Sequence, residues 1–92
     1  RSPKSNIQRT KRFDIGEIDI RIHVEKGHIS QIVIYGDFFG EKPVSELEQI
    51  LVGLAYNRED LSKALAKVNI QNYFGKLDKA GFLSLLYGSD LD

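Results

Sequence analysis

Glu17-Ile18-Asp19-Ile20-Arg21-Ile22-His23-Val24-Glu25-Lys26-Gly27-His28 is the stretch that decides the fold of this chain. Apolar and charged or polar residues alternate strictly through Glu25, which is the period of a strand with one face buried. Ile18, Ile20, Ile22 and Val24 make the buried face, and Glu17, Asp19, Arg21, His23 and Glu25 the other. Lys26-Gly27 predicts a two-residue hairpin turn, because glycine accepts the positive φ such turns demand. The return strand then runs from His28 to Tyr35, with Glu25 opposite His28. A straight ladder from that turn sets Ile18, Ile20, Ile22 and Val24 opposite Tyr35, Val33, Gln31 and Ile29. In that register Ile32 and Ile34 fall on the other face, beside Arg21 and Asp19.

Upstream, residues 7–14 read as a third strand joined through Asp14-Ile15-Gly16. Its register is open by one residue, so the face taken by Phe13 is open too. Residues 1–6, Arg-Ser-Pro-Lys-Ser-Asn, are polar and aperiodic and read as a linker. Arg1, Lys4, Arg9, Lys11 and Arg12 precede the first acid and form a basic arm.

Downstream of Gly40 the period changes from two to about 3.6. Ser45-Glu46-Leu47-Glu48 has capping-box spacing, and Leu47, Ile50, Leu51 and Leu54 follow as one apolar stripe with Gly53 as the stop. Asn57 predicts the cap of a second helix to about Val68, with Leu61, Leu65 and Val68 inward. Tyr73-Phe74-Gly75 is an aromatic connector. Asp78 predicts the cap of a third helix in which Phe82, Leu85 and Leu86 are core, ending near Gly88. Strands first and helices after predict an α+β fold in two layers, an antiparallel three-stranded sheet with about three helices on one face. Residues 7–88 make the single domain and residues 89–92 a tail.

The 92 residues suit one small domain. Lysine plus arginine and aspartate plus glutamate number 13 each, so the net charge gives no pull toward nucleic acid or anionic membrane. The absence of cysteine excludes disulfides, zinc–thiolate sites and thiol chemistry. No apolar run approaches the ~20 residues of a bilayer span, and no signal-peptide pattern is present. A chain that starts at Arg1 and contains no methionine reads as a fragment of a longer protein.

Enzymatic motifs are missing. There is no phosphate-binding Gly-x-x-x-x-Gly-Lys-Ser/Thr loop and no Gly-x-Ser-x-Gly elbow, and no nucleophile–base pair can be named. His23 and His28 flank the hairpin turn without an obvious third metal ligand. The segment Ile34-Tyr35-Gly36-Asp37-Phe38-Phe39-Gly40 is distinctive. Its glycines permit tight turns or close backbone approach, Asp37 reads as an acceptor for backbone N–H groups in a turn, and adjacent Phe38 and Phe39 each need a separate surface. The basic arm has two readings, a phosphate contact or an edge strand on which charge discourages pairing.

Taken in order, Arg12-Phe13, Gly16-Glu17-Ile18-Asp19, Ile34-Tyr35-Gly36-Asp37-Phe38-Phe39-Gly40 and Asn72-Tyr73-Phe74 resemble the small C-terminal accessory domain of bacterial lipoate–protein ligases. The resemblance runs from Ser2-Pro3 to about Leu86 and implies a two-layer fold like that of iron–sulfur scaffold and sulfur-acceptor proteins (SufE/NifU-like). Their cysteine chemistry does not carry over to a chain without cysteine. It further implies a cytoplasmic parent enzyme that uses ATP, Mg and lipoate to make lipoyl-adenylate and passes the lipoyl group to an acceptor lysine. The family's catalytic lysine and nucleotide-contacting glycines belong to the large domain, so this chain is expected to hold no catalytic residue and no cofactor or metal. Its expected partners are the large domain and, indirectly, the lipoyl acceptor domains, with no nucleic acid and no membrane. The expected docking surface comprises Ile32, Ile34, Asp37, Phe38 and Phe39, with Arg9 and Arg12 at the rim. The alternative is an independent module that binds an acidic or phosphorylated partner through the basic arm.

Overall fold

The computed structural model describes residues 6–36 and 40–88. Strands β1 (Ile7–Phe13), β2 (Gly16–Glu25) and β3 (His28–Gly36) form one antiparallel sheet in the order β1-β2-β3. Helices α1 (Val44–Leu51), α2 (Arg58–Leu65), α3 (Gln71–Phe74) and α4 (Lys79–Tyr87) follow. The expected α+β architecture holds. α1 packs beside β3, α4 beside β1, and α2 on α4. One core joins Ile18, Ile20 and Ile22 to Leu47, Leu51, Leu61, Leu65, Phe74, Phe82 and Leu86.

The hairpin turn forms as the sequence predicts, with Lys26 at φ 54° and Gly27 at φ 79° and Glu25 paired with His28. The ladder behind it is not straight. Val24 pairs with Ile29 but His23 pairs with Gln31, so Ser30 is an extra residue, a β-bulge, and its Oγ donates to the His23 carbonyl at 3.1 Å. From there the faces of β3 are exchanged. Ile20 pairs with Ile34 and Ile22 with Ile32, and both β3 isoleucines are buried, at 4% and 5% exposure for Ile32 and Ile34. The expectation that they point away from the helices is therefore corrected.

The reason is energetic. A straight ladder would press the Gln31 amide into the core and leave two isoleucines in water. Burying an unpaired amide costs about 1–3 kcal/mol, and each buried isoleucine is worth about 1.5–3 kcal/mol. One bulge removes all three penalties.

β1 settles in the register Ile7 opposite Ile22 and Phe13 opposite Gly16. Phe13 thereby lies on the helix side, half-buried against the core. Asn57 and Asp78 cap their helices as expected, accepting from Asp60 N and Gly81 N, each at 2.8 Å. The capping box at Ser45 does not form. α1 starts at Val44 after Pro43 with no side-chain cap. Glu48 is used elsewhere, its Oε2 accepting from the outward Ile34 N–H at 2.7 Å, and Glu46 Oε1 accepts from the Tyr73 hydroxyl at 3.0 Å. Burial, and then the Glu46 carboxylate, push the Tyr73 phenol up, which keeps it a donor. Ile50, expected in the stripe, is 39% exposed.

Several donors converge on the end of α4. Arg9 Nε donates to the Leu85 carbonyl at 2.6 Å, the Tyr56 hydroxyl to Leu86 at 2.9 Å, and Arg58 to Gly88. Terminal helix carbonyls lack intrahelical donors and carry partial negative charge, so two guanidiniums and a phenol complete them.

Replacing Arg9 by alanine removes a charged donor from a half-buried carbonyl, and the expected loss is about 1.5–3 kcal/mol, read as a lower denaturant midpoint. Gly40 is the second test. A Cβ there would overlap the backbone carbonyls of Tyr73 and Asn72, and Lys42 N donates to Asn72 O at 2.9 Å in the same contact. Gly40→Ala should destabilise by about 1–3 kcal/mol, and an unchanged melting temperature would contradict the packing.

Candidate docking face

The helices pack on one side of the sheet, and among the described residues the other side is formed by strand side chains alone. It carries Gln8, Thr10 and Arg12 from β1, Glu17, Asp19, Arg21 and His23 from β2, and Gln31, Val33 and Tyr35 from β3. Strand alternation puts the β2 set there, and the Ser30 bulge puts the β3 set there.

The centre is polar and interlocked. Asp19 Oδ2 accepts from Gln8 Nε2 at 3.3 Å and meets Arg21 Nη2 at 3.6 Å. The Arg21 guanidinium lies 5.4 Å from the centroid of the Tyr35 ring, a cation–π contact. His23 Nε2 is 3.4 Å from Glu25 Oε2. Tyr35 remains 43% exposed. A depression of about 300 Å³, lined by Glu17, Asp19, Arg21, Tyr35 and Gly36, opens beside it.

Asp19 Oδ1, Arg21 Nε and His23 Nδ1 are buried and have no hydrogen-bond partner among the described residues. Unsatisfied polar atoms of this kind cost about 1–3 kcal/mol each. An ordinary solvated face arranges its charges so that water reaches them. This face sets an exposed aromatic ring beside partly covered charges, and aromatic residues and arginine are enriched where protein surfaces meet.

The expected docking residues separate. Ile32 and Ile34 are in the core. Arg9 points to the helix side and is bound to α4. Arg12 is exposed on the open face, opposite Glu17. Asp37, Phe38 and Phe39 lie outside the described residues. Sequence reading missed Val33, Tyr35, Asp19 and Arg21. The available signal was Gln31, a glutamine that a straight register would bury.

Among the described residues no group of three His, Cys, Asp or Glu side chains is placed to hold a metal ion. His28 Nδ1 is occupied locally, 3.1 Å from the Lys26 carbonyl oxygen. No helix among the described residues is long and apolar enough to cross a membrane.

Comparison with known proteins bears on the whole chain. The family model described as bacterial lipoate protein ligase C-terminus matches residues 2–86. Lipoate-protein ligase LplJ of Bacillus subtilis (strain 168) is 46% identical over 87 residues, covering 95% of this chain and 26% of that protein. Lipoate–protein ligase 1 of Staphylococcus aureus (strain Mu50) is 36% identical over 86 residues, covering 94% of this chain and 26% of that protein. The chain thus spans about a quarter of the length of these relatives. Among solved structures, P. falciparum LipL1 in complex with lipoate superposes with a TM-score of 0.65 at 26% identity, over 75% of this chain and 21% of that one. The residues that resemble the ligases, the two-layer fold and the match over nearly the full length agree: this chain belongs to the family of bacterial lipoate–protein ligase C-terminal domains.

Proposed function

We propose that this domain is the accessory module of a lipoate–protein ligase and works by docking its open sheet face on a large catalytic domain. In that reading the large domain holds ATP, Mg and lipoate, forms lipoyl-adenylate, and passes the lipoyl group to a lysine of an acceptor protein. The small domain supports activation and transfer from outside the reacting atoms, within a cytoplasmic enzyme. In this reading every reacting group belongs to the large domain. The carrying observation is the family match over residues 2–86, by a chain about a quarter as long as the ligases it resembles. The half-covered polar face around Tyr35 supports the choice of surface.

The open face also fits the physical demands of a contact that must form and separate. Interfaces between domains that move are modest in area and more polar than permanent ones. One exposed ring and one half-buried valine, set among Asp19, Arg21 and Glu17, match that description.

Adding the 92-residue chain to the separately prepared large domain tests the module. Lipoate-dependent pyrophosphate release should rise in the mixture and be absent with the small domain alone. Sub-micromolar ATP binding by the small domain would overturn the reading. The face is tested by Tyr35→Ser with Val33→Thr. Both side chains are partly exposed, so the melting temperature should move by no more than about 3 °C, while activation by the joined enzyme falls several-fold. A large drop in melting temperature with unchanged activity would place the contact elsewhere.

A further inference from the structure

β1 is an edge strand, and among the described residues no strand pairs with its outer side. Val24 N–H turns toward the β1 side, donating to Asn6 Oδ1, and Ile34 N–H turns outward from β3 to Glu48. Antiparallel ladders alternate the side to which successive residues direct their backbone groups. Ile18, Ile20 and Ile22 therefore direct theirs to Lys11, Arg9 and Ile7. That leaves the N–H and C=O groups of Gln8, Thr10 and Arg12 on the outer edge. Among the described residues these groups have no backbone partner there.

The edge is charged with one sign. From Asn6 to Phe13 the chain has Arg9, Lys11 and Arg12 and no acid. Arg9 is engaged with α4. Lys11 is exposed on the helix side, its ammonium 5.5 Å from the Phe13 ring centroid, and Arg12 is exposed on the open face. Between β1 and α4 runs a groove of about 380 Å³ lined by Gln8, Arg9, Thr10, Lys11, Ser84 and Leu85. It leaves room for the side chains of an added strand on the helix side.

We infer that the outer edge of β1 is a strand-addition site for an extended acidic segment of a separate protein, in which two consecutive carboxylates meet Lys11 and Arg12. Consecutive residues of a strand project to opposite faces, as Lys11 and Arg12 do, and cross-strand neighbours lie about 5 Å apart. Backbone bonds to Gln8, Thr10 and Arg12 supply the pairing, and the two cations select the partner. A second copy of this chain is a poor occupant, because β1 against β1 brings like charges together. The inference is independent of the ligase reading.

The probe is a synthetic hexapeptide, acetylated and amidated, with two central glutamates flanked by valine and threonine; its control has two lysines instead. Amide hydrogen exchange is followed in the 92-residue chain. If its Ile20 and Ile22 amides are themselves unprotected, the same measurement is made in the full-length ligase. The glutamate peptide should slow exchange at Gln8, Thr10 and Arg12 at least tenfold, and the lysine peptide should not. The Lys11→Glu, Arg12→Glu double variant should exchange the preference, binding the lysine peptide and losing the glutamate one. Binding without slowed exchange at those three amides would mean charge attraction only and overturn strand addition. No binding at millimolar peptide would mean that the charges merely guard the edge, which also overturns it.

Discussion

The extra residue at Ser30 is the constraint on which the rest of the molecule depends. A β-hairpin has two faces, and its turn determines which side chains share each face. Here the turn alone would send Gln31, Val33 and Tyr35 to the helices. The bulge between the turn and the middle of β3 reverses that assignment for residues 31–36 and leaves the turn itself unchanged. The core gains Ile32 and Ile34 beside Ile20 and Ile22, and the open face gains Val33 and Tyr35. Both the stability of the domain and the chemistry of its free surface follow from that exchange.

Around the core, polar side chains close the ends and edges that a small sheet and short helices leave open. Glu48 satisfies an outward N–H on β3, and the Gly53–Tyr56 segment covers the start of that strand through Ile29. Arg9, Tyr56 and Arg58 satisfy the last carbonyls of α4. These contacts join residues distant in sequence and so couple the sheet to the helix layer. β3 is thereby blunted as an edge, while the outer backbone groups of β1 have no backbone partner among the described residues and are flanked by charge.

The two free surfaces differ in kind. The open sheet face combines an exposed ring with interlocked, partly covered charges, a composition that suits reversible contact with a neighbouring domain. The outer edge of β1 offers backbone groups and two cations, a composition that suits an extended acidic chain. Both are outside the shared core, the second with α4 at its rim, so the two proposed contacts require no repacking of that core. Membership in the ligase C-terminal family gives the first surface its proposed partner.

The sequence by itself determined the number and order of the strands, the Lys26-Gly27 turn, the caps at Asn57 and Asp78, and the α+β class. Each depends on residues within a few positions of one another, where periodicity and local hydrogen bonding act. The motifs around Gly16 and Gly36 were also enough to suggest the ligase family. Tertiary structure decided the bulge, and with it the faces of Ile32, Ile34, Val33 and Tyr35. It decided too that Arg9 would bind α4 and that Glu48 would serve β3 instead of capping α1. A register shift is chosen by comparing the burial of a whole strand against helices that come later in the chain. A long side chain such as arginine or glutamate is claimed by whichever unsatisfied group folding brings near. Neither comparison can be made before the layers meet, and for that reason the composition of the open face emerged only from the packed structure.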